Sequence, residues 1–162
     1  MAFSDFAPEP VVREVVQLFS PKLQGKGVEV RLEPFPDGLS IEGHVDAVKQ
    51  VFFNLLYNAV QAIHHDHGLI RVFGQADGAG FWIRFCDNGE GMDQATRAHI
   101  FEPFFTRKQH AGTGLGLALS RKIMRQHGGC LEVQSEENVG TTVSLCFPMK
   151  EGACPSAAIS PS

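Results

Sequence analysis

Between residues 44 and 63, Val48, Val51, Phe52, Leu55, Leu56, Ala59 and Ile63 recur at helical spacing, and Phe53, Tyr57 and Val60 widen the face they form. A helix with so little polar surface has to be covered by another layer. What remains is a narrow stripe of Gln50, Asn54, Asn58 and Gln61. These residues lie three or four apart and so stack along one line of the helix. The spacing predicts a long helix whose amides either hydrogen-bond a neighbouring loop or meet a ligand, because an unpartnered buried amide costs about 1–3 kcal/mol.

The rest of the chain supplies that second layer. Pro8 and Pro10 open a first helix, carried by Val11, Val15, Leu18 and Phe19 as far as Gly25 and Gly27. Residues 28–32 alternate as a strand, and Pro34, Pro36, Asp37 and Gly38 make a turn. Residues 69–76 and 81–86 read as a hairpin, followed by a short helix near 94–99. A further helix runs to about Gln126 with Gly128 and Gly129 as its cap, and strands at 130–135 and 141–147 flank a turn at 138–140. The expected fold class is α+β: a two-layer α/β sandwich with a mixed, mainly antiparallel sheet of about five strands and three main helices on one face. Residues 1–149 are expected to form one domain, and 150–162, rich in Gly, Ala, Pro and Ser, a disordered tail.

A length of 162 residues, 43% hydrophobic, suits one well-buried core. The formal charge of -4 leaves no basic footprint, which argues against nucleic acid as a partner. Cys86, Cys130, Cys146 and Cys154 form neither a C-x-x-C pair nor a Cys/His metal spacing. Three of them sit in apolar, strand-like runs, as small buried hydrophobes do. No apolar run approaches the roughly 20 residues of a membrane span, and the start lacks a signal-peptide pattern. A cytoplasmic location with no membrane contact by this stretch is the expectation, although a longer parent could be membrane-anchored.

Three short blocks carry the chemistry. Asn54-Leu55-Leu56-Tyr57-Asn58-Ala59 contains the stripe, and the side-chain oxygen of Asn58 suits Mg²⁺, a hard cation that prefers oxygen ligands. Asp87-Asn88-Gly89-Glu90-Gly91-Met92 ends a strand. There Asp87 either caps a turn or accepts a hydrogen bond from an exocyclic amino group such as that of adenine, with Gly89 and Gly91 letting a flat ring lie against bare backbone. Gly112-Thr113-Gly114-Leu115-Gly116-Leu117 opens a helix, so its free N–H groups can face an anion. It is neither the dinucleotide fingerprint nor a P-loop.

In this order the blocks resemble the N, G1 and G2 boxes of the catalytic ATP-binding domain of two-component sensor histidine kinases, within the wider GHKL ATPase group. Ile100-Phe101-Glu102-Pro103-Phe104-Phe105-Thr106 resembles the F box between them. The likeness covers residues 44–148, and Phe-Phe-Thr-Arg-Lys with a short loop after it resembles the nitrogen-regulatory and oxygen- or dicarboxylate-sensing subgroup.

The resemblance implies a GHKL fold with ATP and Mg²⁺ as cofactors. Asp87 would contact the adenine amino group, with Gly89, Gly91 and Thr141 at the same end. Asn58 would hold Mg²⁺ with Asn54 nearby, and Gly112, Thr113, Gly114, Leu115 and Gly116 would lie along the phosphates. Thr106 and Lys108 would meet the β- or γ-phosphate from a lid, Lys108 as a point charge or else as an ordinary solvated lysine. Gln61 stands where relatives often carry Lys or Arg, so it joins the ATP-binding set without a charge. His44 replaces the Asp that many members place before the N-box helix.

The same fold serves hydrolases and kinases, and the position one turn before the Mg²⁺ asparagine separates them. Hydrolases and anti-sigma serine kinases of the group resemble each other in having Glu there as a base. Here it is Asn54, which cannot take a proton, so Asn54 and Lys108 are the catalytic candidates of a histidine kinase. Family members carry the phosphoacceptor as His followed by an acidic residue, and here only His65-Asp66 fits, in a turn. His64, His65 and His67 make either a polar loop or a metal site. The chain is therefore expected to be the catalytic domain of a larger kinase. Its partners would be a phosphoacceptor/dimerisation domain and a response regulator receiver domain. A GHKL-type ATPase, an anti-sigma switch and a binding module without nucleotide are the alternatives.

Overall fold

The structure is a computed structural model describing residues 2–78, 80–102 and 116–148. The elements run β1 (Ser4–Phe6), α1 (Pro8–Leu18), α2 (Ser20–Lys26), β2 (Glu29–Leu32), β3 (Ile41–Gly43), α3 (Val45–Gln61), β4 (Leu69–Ala76), β5 (Gly80–Asp87), α4 (Gln94–Arg97), α5 (Gly116–Gln126), β6 (Cys130–Glu136) and β7 (Gly140–Pro148). Five strands form one sheet in the order β2-β4-β5-β7-β6. β2 lies parallel to β4 and the other three pairings are antiparallel. The expected mixed sheet of an α+β sandwich is the one observed.

The strands alternate as their sequences demand. Ile70, Val72, Phe81, Ile83, Phe85, Val143, Leu145 and Phe147 are buried in the core. Trp82, Arg84, Cys86, Cys130 and Cys146, on the alternate positions, are only half-buried. α3 packs between α1 and α5 and against β5. Its Val48, Val51, Phe52, Leu56 and Val60 are completely buried. Phe53 departs from the expected face: it is 39% exposed, stacked on Tyr57 and tilted against Phe19.

Two features differ from the sequence reading. The first helix is interrupted at Phe19, because Pro21 lacks the N–H that would continue the ladder into the next turn. A two-stranded sheet of β1 and β3, pairing Ser4 with Gly43 and Phe6 with Ile41, was not expected, because three-residue strands show too little periodicity to be read. This small sheet leads straight into α3. There the His44 Nδ1 accepts the Ala47 N–H at 3.2 Å, so a histidine does the capping that an aspartate could do. Residues 150–162 lie outside the described residues.

Candidate functional site

At the end of β5, the antiparallel register sets Asp87 opposite Thr141 of β7 and Ile70 of β4. The Asp87 carboxylate accepts the Gly89 N–H at 2.9 Å and a second backbone hydrogen bond from Thr141. Both bonds favour the ionised form, yet burial outweighs them, and with help from the charge of Glu90 it pushes the carboxyl from 3.8 up to about 6. A carboxylate can take about four hydrogen bonds. Two backbone donors therefore orient Asp87 and leave it capacity for a ligand N–H.

The loop after Asp87 is stapled on three sides. The Glu90 N–H donates to the Ala62 carbonyl at 2.8 Å, the Asn138 N–H to the Glu90 carbonyl at 2.7 Å, and the Asn88 N–H to the Leu69 carbonyl at 3.2 Å. Ser135, which the sequence reading passed over, accepts the Met92 N–H at 2.8 Å and bonds the Thr141 hydroxyl at 2.8 Å. It ties the loop to the residue opposite Asp87. Its only sequence signal is a place four residues before the Val139-Gly140 turn. Gly89 and Gly91 also serve a purpose that was not expected. A Cβ on Gly89 would meet the Ala62 carbonyl, and one on Gly91, at φ +65°, would run into the Glu136 carbonyl. The missing side chains admit protein backbone, which lets the loop sit down on α3 and on the β6–β7 turn.

The stripe of α3 builds the other end. The Asn54 oxygen accepts from Gln50 Nε2 at 2.9 Å, and its Nδ2 donates to Ser120 Oγ at 3.3 Å and to the Gly116 carbonyl at 3.5 Å. Ser120, fully buried on α5, is a second residue missed from sequence, since a serine amid helix residues carries no signal of its partner. Asn58 differs. Its side chain has no hydrogen-bond partner among the described residues, and its amide nitrogen lies 3.7 Å from where a Gly116 Cβ would stand. An amide oxygen without a hydrogen-bond partner among the described residues, beside the first residue of a helix, has the chemistry to ligate a hydrated Mg²⁺ carrying phosphates. Gln61 ends the same helix, half-buried, on the side of Asn58. Thr106, Lys108, Gly112, Thr113, Gly114 and Leu115 lie outside the described residues.

α3 joins the two ends, since Asn58 lies one turn before Ala62, whose carbonyl holds the Asp87 loop. The histidine cluster has local partners: His65 bonds the Asn88 carbonyl at 2.8 Å and the His67 N–H at 3.2 Å, which shapes the turn between α3 and β4.

A family described as histidine kinase-, DNA gyrase B- and HSP90-like ATPases matches residues 43–151, about two thirds of the chain. The chain belongs to this ATPase family. It is 37% identical to the sensor histidine kinase ZraS of Escherichia coli K12, over 86% of this chain and 30% of that protein. It is 36% identical to the C4-dicarboxylate transport sensor protein DctB of Rhizobium meliloti, over 86% of this chain and 22% of that one. The chain thus spans less than a third of these relatives. Among solved structures, the catalytic domain of the histidine kinase ThkA superposes with a TM-score of 0.81 at 30% identity, covering 92% of this chain and 99% of that one. The chain therefore corresponds to the catalytic ATP-binding domain of histidine kinases in this family. Full-length ShkA in complex with AMPPNP gives 0.81 at 27% identity, covering 98% of this chain and 33% of that one.

Proposed function

We propose that this domain binds Mg-ATP between Asp87 and the start of α5 and presents the γ-phosphoryl to a histidine on a separate dimerisation/phosphoacceptor domain, for relay to a response regulator. The observation that carries the reading is the contrast between two asparagines one turn apart. Asn54 is an amide, and its oxygen is already engaged by Gln50. No base stands ready to activate water there, so the γ-phosphate is kept for a better nucleophile. Asn58 keeps an oxygen for the cation, which would supply charge neutralisation between the phosphate groups.

In this reading Asp87 accepts the adenine amino hydrogen, with Gly91 and Thr141 shaping that end. Gly116 and the Gly112 block offer N–H groups to the phosphates, and Thr106 and Lys108 reach them from the lid. Support for the nucleotide comes from the AMPPNP complex of ShkA, and for the regulator from ThkA in complex with its response regulator protein TrrA, which superposes with a TM-score of 0.76 at 27% identity over 91% of this chain and 42% of that one. The likeness to DctB favours the nitrogen-regulatory or dicarboxylate-sensing subgroup. Among the described residues no helix is long and apolar enough to cross a membrane, which agrees with work on the cytoplasmic side of a larger protein.

The test is transfer of labelled γ-phosphate from ATP to a separately supplied dimerisation hairpin of the parent kinase. Label on its histidine, with negligible phosphate release by the domain alone, is the expected result. Fast ATP hydrolysis by the isolated chain overturns the reading in favour of an ATPase, and label on a serine of a third protein favours an anti-sigma kinase.

A further inference from the structure

At the end of the sheet remote from Asp87, the β6–β7 register sets Cys130 directly opposite Cys146, and Trp82 of β5 opposite Cys146 on its other side. All three residues stand on the half-exposed face, alternating with the buried Leu131, Leu145 and Phe81. Directly opposed residues of an antiparallel pair have Cα atoms about 4.5–5.5 Å apart. A disulfide spans Cα separations of about 4.4–6.8 Å. Both sulfurs are free thiols and lie within hydrogen-bonding reach of each other. Cys86, on the same face, has Thr142 opposite it and bonds that hydroxyl at 3.4 Å, so it has no thiol across the ladder.

We propose that Cys130 and Cys146 form a reversible dithiol site, closing to an intrachain disulfide on reaction with a low-molecular-weight disulfide. The Cys130 thiolate attacks one sulfur of the reagent, forming a mixed disulfide and releasing one thiolate. Cys146 then gives up its proton and attacks the Cys130 sulfur, which forms the Sγ–Sγ bond and expels the second thiolate. Two electrons pass from the cysteine pair to the reagent, and two protons end on the two thiols released. The order follows from the surroundings. Burial, then the charge and hydrogen bond of Cys130, then Asp77 and Glu132 push the Cys146 thiol up to about 12, so Cys146 holds its proton while Cys130 attacks. Once Cys130 is capped its negative charge is gone, and Cys146 ionises more easily. In a reducing compartment such a pair stays open and closes only under oxidative load. Closure would lock the strand that follows α5 to β7. The inference does not depend on the nucleotide reading.

Treatment of the full chain with oxidised glutathione at mildly alkaline pH tests it, with alkylation, peptide mapping and intact mass as readouts. The expected product is a Cys130–Cys146 linked peptide, the loss of two hydrogen masses, and a fall in free thiols from four to two when Cys86 and Cys154 stay unmodified. Emission of Trp82, the only tryptophan of the chain, falls in step, and dithiothreitol restores it. Cys146→Ser stops at a stable glutathione adduct on Cys130, and Cys154→Ser still closes. Separate adducts on both sulfurs, a linkage through Cys86 or Cys154, or no reaction at Cys130 overturns the proposal.

Discussion

Around Asp87 the backbone of three stretches converges: Gly89 and Thr141 on its carboxylate, Ala62 and Asn138 on the loop behind it, with Asn138 and Thr141 sharing the β6–β7 turn. Around Asn58, among the described residues, two helices meet through the Asn54 side chain, which reaches Ser120 and the Gly116 carbonyl, and the Asn58 amide itself has no hydrogen-bond partner there. The first end is held by the Thr141 N–H of the sheet and by the Ala62 carbonyl at the end of α3, which accepts from the loop, and neither can move without breaking other hydrogen bonds. At the second, the described residues tie Asn54 to α5 through Ser120 and the Gly116 carbonyl. Under the proposed function, the Asp87 end would hold the flat part of the nucleotide and the Asn58 end its charged part.

The comparison breaks first at Gly91. Gly91→Ala puts a Cβ into the Glu136 carbonyl at positive φ. It is expected to cost more than about 3 kcal/mol, read by urea unfolding, with loss of ATP binding. If the variant is as stable as the parent, the loop is not clamped as described.

Asp87→Asn comes next, with an expected loss of about 10–100-fold in Mg-ATP affinity by calorimetry, the scale of one hydrogen bond to a charged acceptor. The same variant separates binding from folding. In the folded chain the Asp87 carboxyl lies near 6, against an ordinary 3.8. The folded state therefore binds more protons between those values, and stability falls as pH rises from about 4 to about 6 and stays lower above. Asp87→Asn should abolish that slope and gain about 1–3 kcal/mol at neutral pH. A variant less stable than the parent at neutral pH would mean that the backbone hydrogen bonds, not burial, dominate.

Asn58→Ala sharpens the other end. Mg-ATP affinity is expected to fall by about tenfold, the scale of one coordinating or hydrogen-bonding group, while metal-free ADP binding changes little. An equal loss with and without Mg²⁺ would assign Asn58 to the nucleotide rather than the cation. The smallest effect is that of His44→Ala, which removes the cap of α3 and is expected to cost about 1 kcal/mol in stability with affinity nearly unchanged. A large affinity loss there would mean that α3 transmits strain to its stripe.

Much of this could be read in advance, and the failures share a cause. The periodicity of 44–63, the 69–76 and 81–86 hairpin and the turn near Asn138 all appear within a residue or two of the observed elements. Asn58 and Asp87 could be singled out as candidates because each sits in a short block of recognisable pattern. Ser120 and Ser135 were not, because their partners, Asn54 and Met92, are 66 and 43 residues away. The packing role of Gly89 and Gly91 was not readable for the same reason: the carbonyls filling their empty sides belong to Ala62 and Glu136.

The amino-acid order alone determined the fold class, the long apolar helix with its amide stripe, and the blocks that mark an ATPase of this family, since each rests on spacings of a few residues. Only the folded chain decided that Asp87 sits half-buried between two backbone donors, that among the described residues Asn54 is tied and Asn58 is not, and that Cys130 faces Cys146. Those outcomes depend on strand register and helix docking. Both are set by the packing of the whole core, and no local spacing specifies them.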